Sequence, residues 1–261
     1  MVERSDRAPA VIFFSADAFA PGVPLTLGDE AAQHARVLRI GVGEPVGLRD
    51  GHGNAGTGAI ARVSKRSVTV DVAEVVQISA FLPVHLMVPV ADRDRMLYLA
   101  EKCTELAATS WRPVMWRRSR SVGPSGDGPA FQSRLKGRMV AALTQSGGGW
   151  LPEVHPSAPI ARAIAAAPEG TRLLLDASSP TPLLSVVMTA PVVIAIGPEG
   201  GLDDKERDEL IGAGFQPVSL VGGTLRFETA GIAGLALVRA MLGIDVAGVS
   251  DVGPRPVEET T

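Results

Sequence analysis

Apolar and polar positions follow two rhythms along this chain, and the rhythm changes near residue 80. After the apolar run Val11-Ile-Phe-Phe14, residues 29–40 place Ala32, Ala35, Val37 and Leu38 at helical spacing. Acidic residues at the start of that stretch and basic ones near its end suit a helix dipole, so a short helix is predicted there. Pro45–Arg49, Gly58–Val63 and Ser67–Val76 read as short strands joined by tight turns, the first turn being the Gly-rich stretch from Asp50 to Asn54. In the last of these strands Val68, Val70 and Val72 alternate with polar neighbours, which predicts a half-buried strand. Three or four such strands and one helix make a small barrel or curled sheet, assigned to residues 1–80.

Beyond Ile78–Pro83 the chain alternates apolar runs with longer helical stretches. Val84–Val90 predicts a buried strand, and Met96, Leu99, Ala100, Cys103 and Leu106 give residues 92–108 an amphipathic helical face. Further strands are predicted at Arg112–Trp116, Arg172–Leu175, Pro191–Ile196 and Val218–Val221. Helices are predicted at Phe131–Gln145 and from about Glu228 to Leu242. This alternation implies an α/β domain over residues 81–248 with a largely parallel, helix-covered sheet. Residues 249–261, rich in Gly, Pro and acid, read as a loose tail.

A hydrophobic fraction of 46% with 29 Gly and 20 Pro fits a globular, loop-rich chain and excludes fibrous or disordered classes. The lone cysteine, Cys103, has no partner for a disulfide or thiolate site, which suits the cytosol. His34, His52, His85 and His155 show no metal-ligand spacing, so no metal is expected. Neither a secretory leader nor a membrane span is expected. The net charge of -3 hides an uneven distribution: ten Lys/Arg face four Asp/Glu between Arg93 and Arg138. Arg112, Arg117, Arg118 and Arg120 either neutralise phosphates from one face or form an ordinary solvated surface.

Two Gly-rich junctions carry the candidate chemistry. Ile196-Gly-Pro-Glu-Gly-Gly201 follows a buried strand and precedes a helix that Asp203 caps, with Glu206 completing a capping box. Strand ends of this kind gather ligands in open α/β sheets, and the glycines let a ligand approach the main chain. The alternative is a tight structural turn with Glu199 solvated. The second junction, Gly222 to Ala230, leads into the last helix and carries Arg226 and Glu228. Either these two hold an anionic group or Glu228 forms a surface ion pair with a cap from Thr229.

Together these junctions resemble those of the knotted SPOUT methyltransferases, specifically the ribosomal RNA small subunit methyltransferase E family, which modifies N3 of a uridine in 16S rRNA. The resemblance also covers Gln33-His-Ala-Arg-Val-Leu-Arg39 with Gly43-Glu44, Glu101-Lys-Cys-Thr-Glu-Leu106, Pro113, Arg118-Ser119, Gln145-Ser146 and Pro152. It implies a PUA-like β-barrel that docks RNA, a C-terminal domain with a deep trefoil knot, and a homodimer using S-adenosylmethionine. The implied cofactor residues are Leu174, Leu175, Ile196, Gly197, Pro198, Glu199, Gly200, Gly201, Leu220, Val221, Gly222, Leu225, Arg226, Phe227, Thr229 and Ala230. Glu199 is the implied base or uracil-orienting group, and Arg226 the stabiliser of charge on the uracil oxygens. His34, Arg36, Arg39, Lys102, Arg112, Arg117, Arg118 and Arg120 are the candidate RNA contacts, His34 being alternatively a partly buried helix residue. The chain departs from the pattern at Gly147-Gly-Gly-Trp150, where similar sequences carry an arginine, at Ala107-Ala108, at Asp176-Ala177 in place of His-Glu, and at Gly223 and Phe227. A SPOUT enzyme with another RNA target and a non-catalytic RNA-binding protein are the competing readings.

Overall fold

The computed structural model describes residues 11–119, 128–220 and 223–243. In chain order the N-terminal elements are β1 (Ile12–Phe14), β2 (Pro24–Leu27), α1 (Asp29–Val37), β3 (Pro45–Arg49), β4 (Asn54–Val63) and β5 (Val68–Gln77). The strands form one sheet in the order β1-β3-β4-β5-β2, antiparallel except for β1 beside β3. Register shifts at Thr57/Gly58 and Ile60/Arg62 bend β4 against β5, and such bulges increase twist, so the sheet curls. Gly58 is required at the bend, because a Cβ there would lie 2.3 Å from the Asp71 carbonyl oxygen. The concave face encloses Phe13, Leu25, Val46, Leu48, Ile60 and Val70, and α1 covers it with Ala32 and Ala35.

The second sheet is wholly parallel. Its elements run β6 (Val84–Pro89), α2 (Arg93–Glu105), β7 (Ser110–Met115), α3 (Pro129–Ser146), β8 (Glu153–Val154), β9 (Ala158–Pro159), α4 (Ile160–Ala165), β10 (Thr171–Leu175), β11 (Val192–Ile196), α5 (Asp204–Gly212), β12 (Gln216–Val218) and α6 (Phe227–Met241). The strand order is β12-β10-β11-β6-β7-β8, with β9 also pairing β7. All five residues of β11 are buried, as a central strand covered on both faces requires. On one face α2, α3 and α6 bury Met96, Leu99, Leu135 and Leu235 with Trp111 of β7; Phe215 and Leu210 lie in a cluster on the other. Asp92 caps α2 by accepting from the Arg95 amide at 3.1 Å. At the far end, Arg239 of α6 donates to the carbonyls of Leu82, Leu106 and Ala107, tying α6 to the end of α2 and the start of β6. Burial lowers its pKa to about 10.

The two sheets are joined by a main-chain clasp at the departure noted above. Gly149 accepts from the Gly53 amide at 2.9 Å, Gly51 accepts from the Leu151 amide at 2.9 Å, and the Trp150 indole donates to the Ile78 carbonyl at 2.9 Å. Arg49 donates twice to the Gly147 carbonyl at 3.3 Å. A Cβ on Gly149 would lie 2.8 Å from Ile78, so Gly149 permits this close approach.

Several boundaries differ from the expectation. The strand predicted at 218–221 is Gln216–Val218, and α1 ends at Val37, where the chain turns left-handed at Arg39 (φ 57). β2, β8, β9 and α4 are too short to impose a periodicity on the sequence, and the expectation lacked them. Among the described residues no helix is long and apolar enough to cross a membrane, and no group of three or more His, Cys, Asp or Glu could hold a metal. The tail at 249–261 and residues 221 and 222, part of the segment expected to thread a knot, lie outside the described residues.

Candidate active site

The carboxyl ends of β10, β11 and β12 open on a cavity of about 590 Å³. β10 contributes Leu174 and Leu175 and then Asp176, Ala177 and Ser178; β11 contributes Ile196 and the loop residues Gly197, Pro198, Glu199, Gly201 and Leu202. The remaining wall comes from Val218 and Leu220 after β12, Gly223, Thr224 and Leu225 before α6, Phe227 and Ala230 of α6, and Arg207 of α5. Both Gly-rich junctions therefore meet at one site, where diverging loops after parallel strands leave a concavity.

The loop after β11 is braced from both sides. Asp203 caps α5 by accepting from the Glu206 amide at 2.8 Å, and Glu206 accepts in return from the Asp203 amide at 3.0 Å, completing the predicted capping box. The amide of Glu206, with the Arg117 guanidinium nearby, holds the Asp203 carboxyl below its ordinary range. The buried Glu206 carboxylate also accepts from the Arg117 amide at 2.6 Å. A turn from Gly201 N–H to the Pro198 carbonyl, 2.9 Å, closes the loop, with Gly201 at φ 71. Outside it, Arg118 donates to the carbonyls of Gly200 and Leu202.

Inside the cavity, Asp176 accepts from Ser178 N and Oγ at 2.9 and 2.6 Å and from Arg207 Nε at 3.1 Å. Burial pushes its pKa up, but the bonds from Ser178 and the Arg207 guanidinium outweigh it and hold the carboxyl below the ordinary value. Glu199, with a side chain 22% exposed, pairs with Arg95 of α2.

Eleven of the expected cofactor residues line this cavity: Leu174, Leu175, Ile196, Gly197, Pro198, Glu199, Gly201, Leu220, Leu225, Phe227 and Ala230. Three do not. Gly200 faces Arg118, whose Cβ would lie 3.1 Å from a side chain there; Arg226 is the exposed N-cap residue of α6, and Thr229 is exposed on the same helix. Val221 and Gly222 lie outside the described residues. Glu228, expected as a surface ion pair, is buried at 8% exposure, because α6 packs against α2 and β11. Thr229 supplies no cap. The expectation missed Asp176, Ser178 and Arg207; Arg207 stands 31 residues from Asp176, a pairing that no local pattern records.

The described candidate RNA contacts stand on several different elements. His34, Arg36 and Arg39 are exposed on or just after α1, with His34 edge-on to Phe13 at 5.7 Å; the partly buried alternative does not hold. Lys102 lies between Glu101 and Glu105, at 2.9 and 2.7 Å, and those carboxylates raise its pKa. Arg112 is half-buried within β7, whereas Arg117 pairs with Asp203 at 3.2 Å and Arg118 backs the cavity loop. Arg120 lies outside the described residues.

Comparison with known proteins places these features in a family. The RNA methyltransferase domain family matches residues 79–239, and the RNA methyltransferase PUA domain family matches residues 27–73. Ribosomal RNA small subunit methyltransferase E of Synechocystis sp. is 30% identical over 214 residues, 79% of this chain and 69% of that protein. Ribosomal RNA small subunit methyltransferase E from Neisseria gonorrhoeae, solved bound to S-adenosyl methionine, superposes with a TM-score of 0.82 at 26% identity, covering 88% of this chain and 97% of that one. A Legionella pneumophila protein solved with bound cofactor SAM gives 0.83 at 28% identity, covering 89% and 98%.

Proposed function

Because this chain belongs to the RNA methyltransferase family that includes ribosomal RNA small subunit methyltransferase E, we propose that it methylates N3 of a uridine in 16S rRNA with S-adenosylmethionine. The observation that carries the proposal is the cavity where both Gly-rich junctions converge on the ends of three parallel strands. Its volume suits a cofactor of this size, for which pockets of roughly 300–1,000 Å³ are usual. Apolar Leu174, Ile196 and Leu225 suit a flat base, and the carboxylates of Asp176 and Glu199 suit a sulfonium cation. When bound, the cofactor supplies an electrophilic methyl group.

The protein's part is to hold the target uracil in line and to manage its N3 proton. Glu199, at the cavity and on the braced loop, is proposed as the group that accepts this proton or orients the base. The N3 lone pair then forms the bond to the methyl carbon as the sulfur–carbon bond breaks, its electron pair going to sulfur. The PUA-like domain, assigned to residues 1–80, docks RNA through His34, Arg36 and Arg39, and residues 81–248 carry the reaction. Arg117 and Arg118 add positive charge beside the cavity. The same proposal includes a deep trefoil knot threaded by the last segment of the C-terminal domain, a cytosolic setting, and a homodimer.

The test is cofactor titration by calorimetry followed by methylation of unmodified small ribosomal subunits, with the product located by mass spectrometry. Micromolar binding and one N3-methyluridine in 16S rRNA are expected. Modification of another nucleotide, or no transfer despite binding, would overturn the assigned target.

A further inference from the structure

Three charged side chains from three elements meet behind the loop after β11. Arg95, in the first turn of α2, pairs with Glu199, and its Nε lies 3.8 Å from Oε1 of Glu228 in the first turn of α6. The Glu228 side chain is only 10% exposed, and its second oxygen, Oε2, is buried with no hydrogen-bond partner among the described residues. A buried carboxylate oxygen without a donor is costly, and native structures retain such atoms where they have a use. The donor at hand is the Arg95 guanidinium, a rigid fork with five N–H groups. Its backbone is fixed by the Asp92 cap, so its reach is set by side-chain torsions alone. Arg226, the arginine singled out from the sequence, stands exposed at the start of α6, whereas Arg95 contacts both carboxylates.

Resting on the role proposed for Glu199, we propose that Arg95 is the positioning residue for Glu199 and that buried Glu228 is its second station. While Arg95 engages Glu199, the lone pairs of that carboxylate are committed to the guanidinium. When the uracil arrives and Glu199 turns to its N3–H, Arg95 closes the 3.8 Å gap to Glu228 Oε1 and its guanidinium fork brings a second donor to the unpaired Oε2 of the same carboxylate. Glu228 thus keeps the guanidinium from following Glu199, and the proton leaving N3 finds a carboxylate with a free lone pair. Arg95 makes and breaks no covalent bond; it sets the direction in which Glu199 points.

The test is single-turnover methylation of small subunits at saturating cofactor by Arg95→Gln, Arg95→Lys, Glu228→Gln and Glu199→Gln, alone and with Arg95→Gln in the Glu199→Gln background. Cofactor affinity by calorimetry and the thermal midpoint are read beside it. Arg95→Gln should slow transfer at least tenfold with cofactor affinity within twofold, Arg95→Lys should recover part of the rate, and Glu228→Gln should slow transfer. In the Glu199→Gln background the Arg95 change should cost less than a further twofold. Multiplicative losses, or an Arg95 loss explained by weakened cofactor binding or folding, would overturn the role of Arg95. If Arg95→Gln fails to fold, full activity of Arg95→Lys with normal Glu228→Gln does the same. A Glu199→Gln variant that transfers at the parent rate overturns instead the reading of Glu199, and a parent that methylates nothing overturns the proposed function.

Discussion

The indole of Trp150 fills the space in front of Gly53, so that a Cβ on Gly53 would lie 2.5 Å from its Cζ2 atom. Gly53 also holds φ at 93, a conformation that favours glycine. Gly53→Ala should therefore lose about 2 kcal/mol of stability through overpacking, with the Trp emission moving to longer wavelength as the clasp opens. Gly22 has a similar φ of 77 with nothing within 4 Å of a side chain. Gly22→Ala carries only the backbone penalty, about 1 kcal/mol. Denaturant unfolding of the pair checks this, and equal losses would deny the clasp its packing role.

Cofactor affinity should respond to the cavity wall and not to its outer brace. Ala230 lines the cavity and Gly200 faces Arg118. Ala230→Phe should weaken cofactor binding more than tenfold while leaving the fold intact by circular dichroism. Gly200→Ala, which has only to displace Arg118 by tenths of an ångström, should change the dissociation constant less than threefold.

Asp176 gives the cavity a pH dependence. Its folded-state pKa is lowered, so its contribution to stability is complete above the ordinary carboxylate range and lost as pH falls through the lowered value. The thermal midpoint of Asp176→Asn should lie below the parent's at pH 7, and the gap should close as the pH falls below the lowered carboxyl pKa. A gap that persists in acid would mean that Asp176 acts by shape.

His85 acts in the opposite part of the sheet. Burial lowers its pKa, and repulsion from His155 and Arg239 adds to this against the attraction of Glu153; its Nδ1 lies 2.8 Å from Ser110 Oγ. The unfolded chain therefore takes up the proton first. Stability is complete above about pH 6.5 and falls as the solution is acidified toward the lowered value. His85→Asn should flatten the midpoint-versus-pH curve just below about pH 6.5, a change that differential scanning calorimetry reads.

The sequence made the long elements legible because their periods are imposed by burial: the Met96, Leu99 and Cys103 stripe of α2 and the wholly apolar β11 could face nothing but a core. The Asp203 and Glu206 box was legible because its partners stand three residues apart. Arg95 and Glu199 stand 104 positions apart, and Arg49 reaches Gly147 across 98. No local pattern records such pairs. For the same reason Gly147-Gly-Gly-Trp150 reads in the sequence only as a departure from the family pattern, with no sign that the Gly149 carbonyl meets the Gly53 amide. Arg226 adjoins the Leu225–Ala230 motif in sequence, and it stands exposed at the N-cap of α6, off the cavity wall.

The clasp between the domains has a further consequence for how the protein behaves in different media. Its acceptors are the neutral carbonyls of Gly51, Ile78, Gly147 and Gly149. In the proposed docking, attraction of RNA phosphates to Arg36, Arg39, Arg117 and Arg118 is long-ranged and fades as the Debye length shrinks, about 10 Å at 0.1 M salt. On that proposal ionic strength tunes how tightly the protein grips a nucleic acid while the clasp keeps the spacing between the proposed docking surface and the cavity, so that occupancy varies with salt and the position reached along the strand stays fixed.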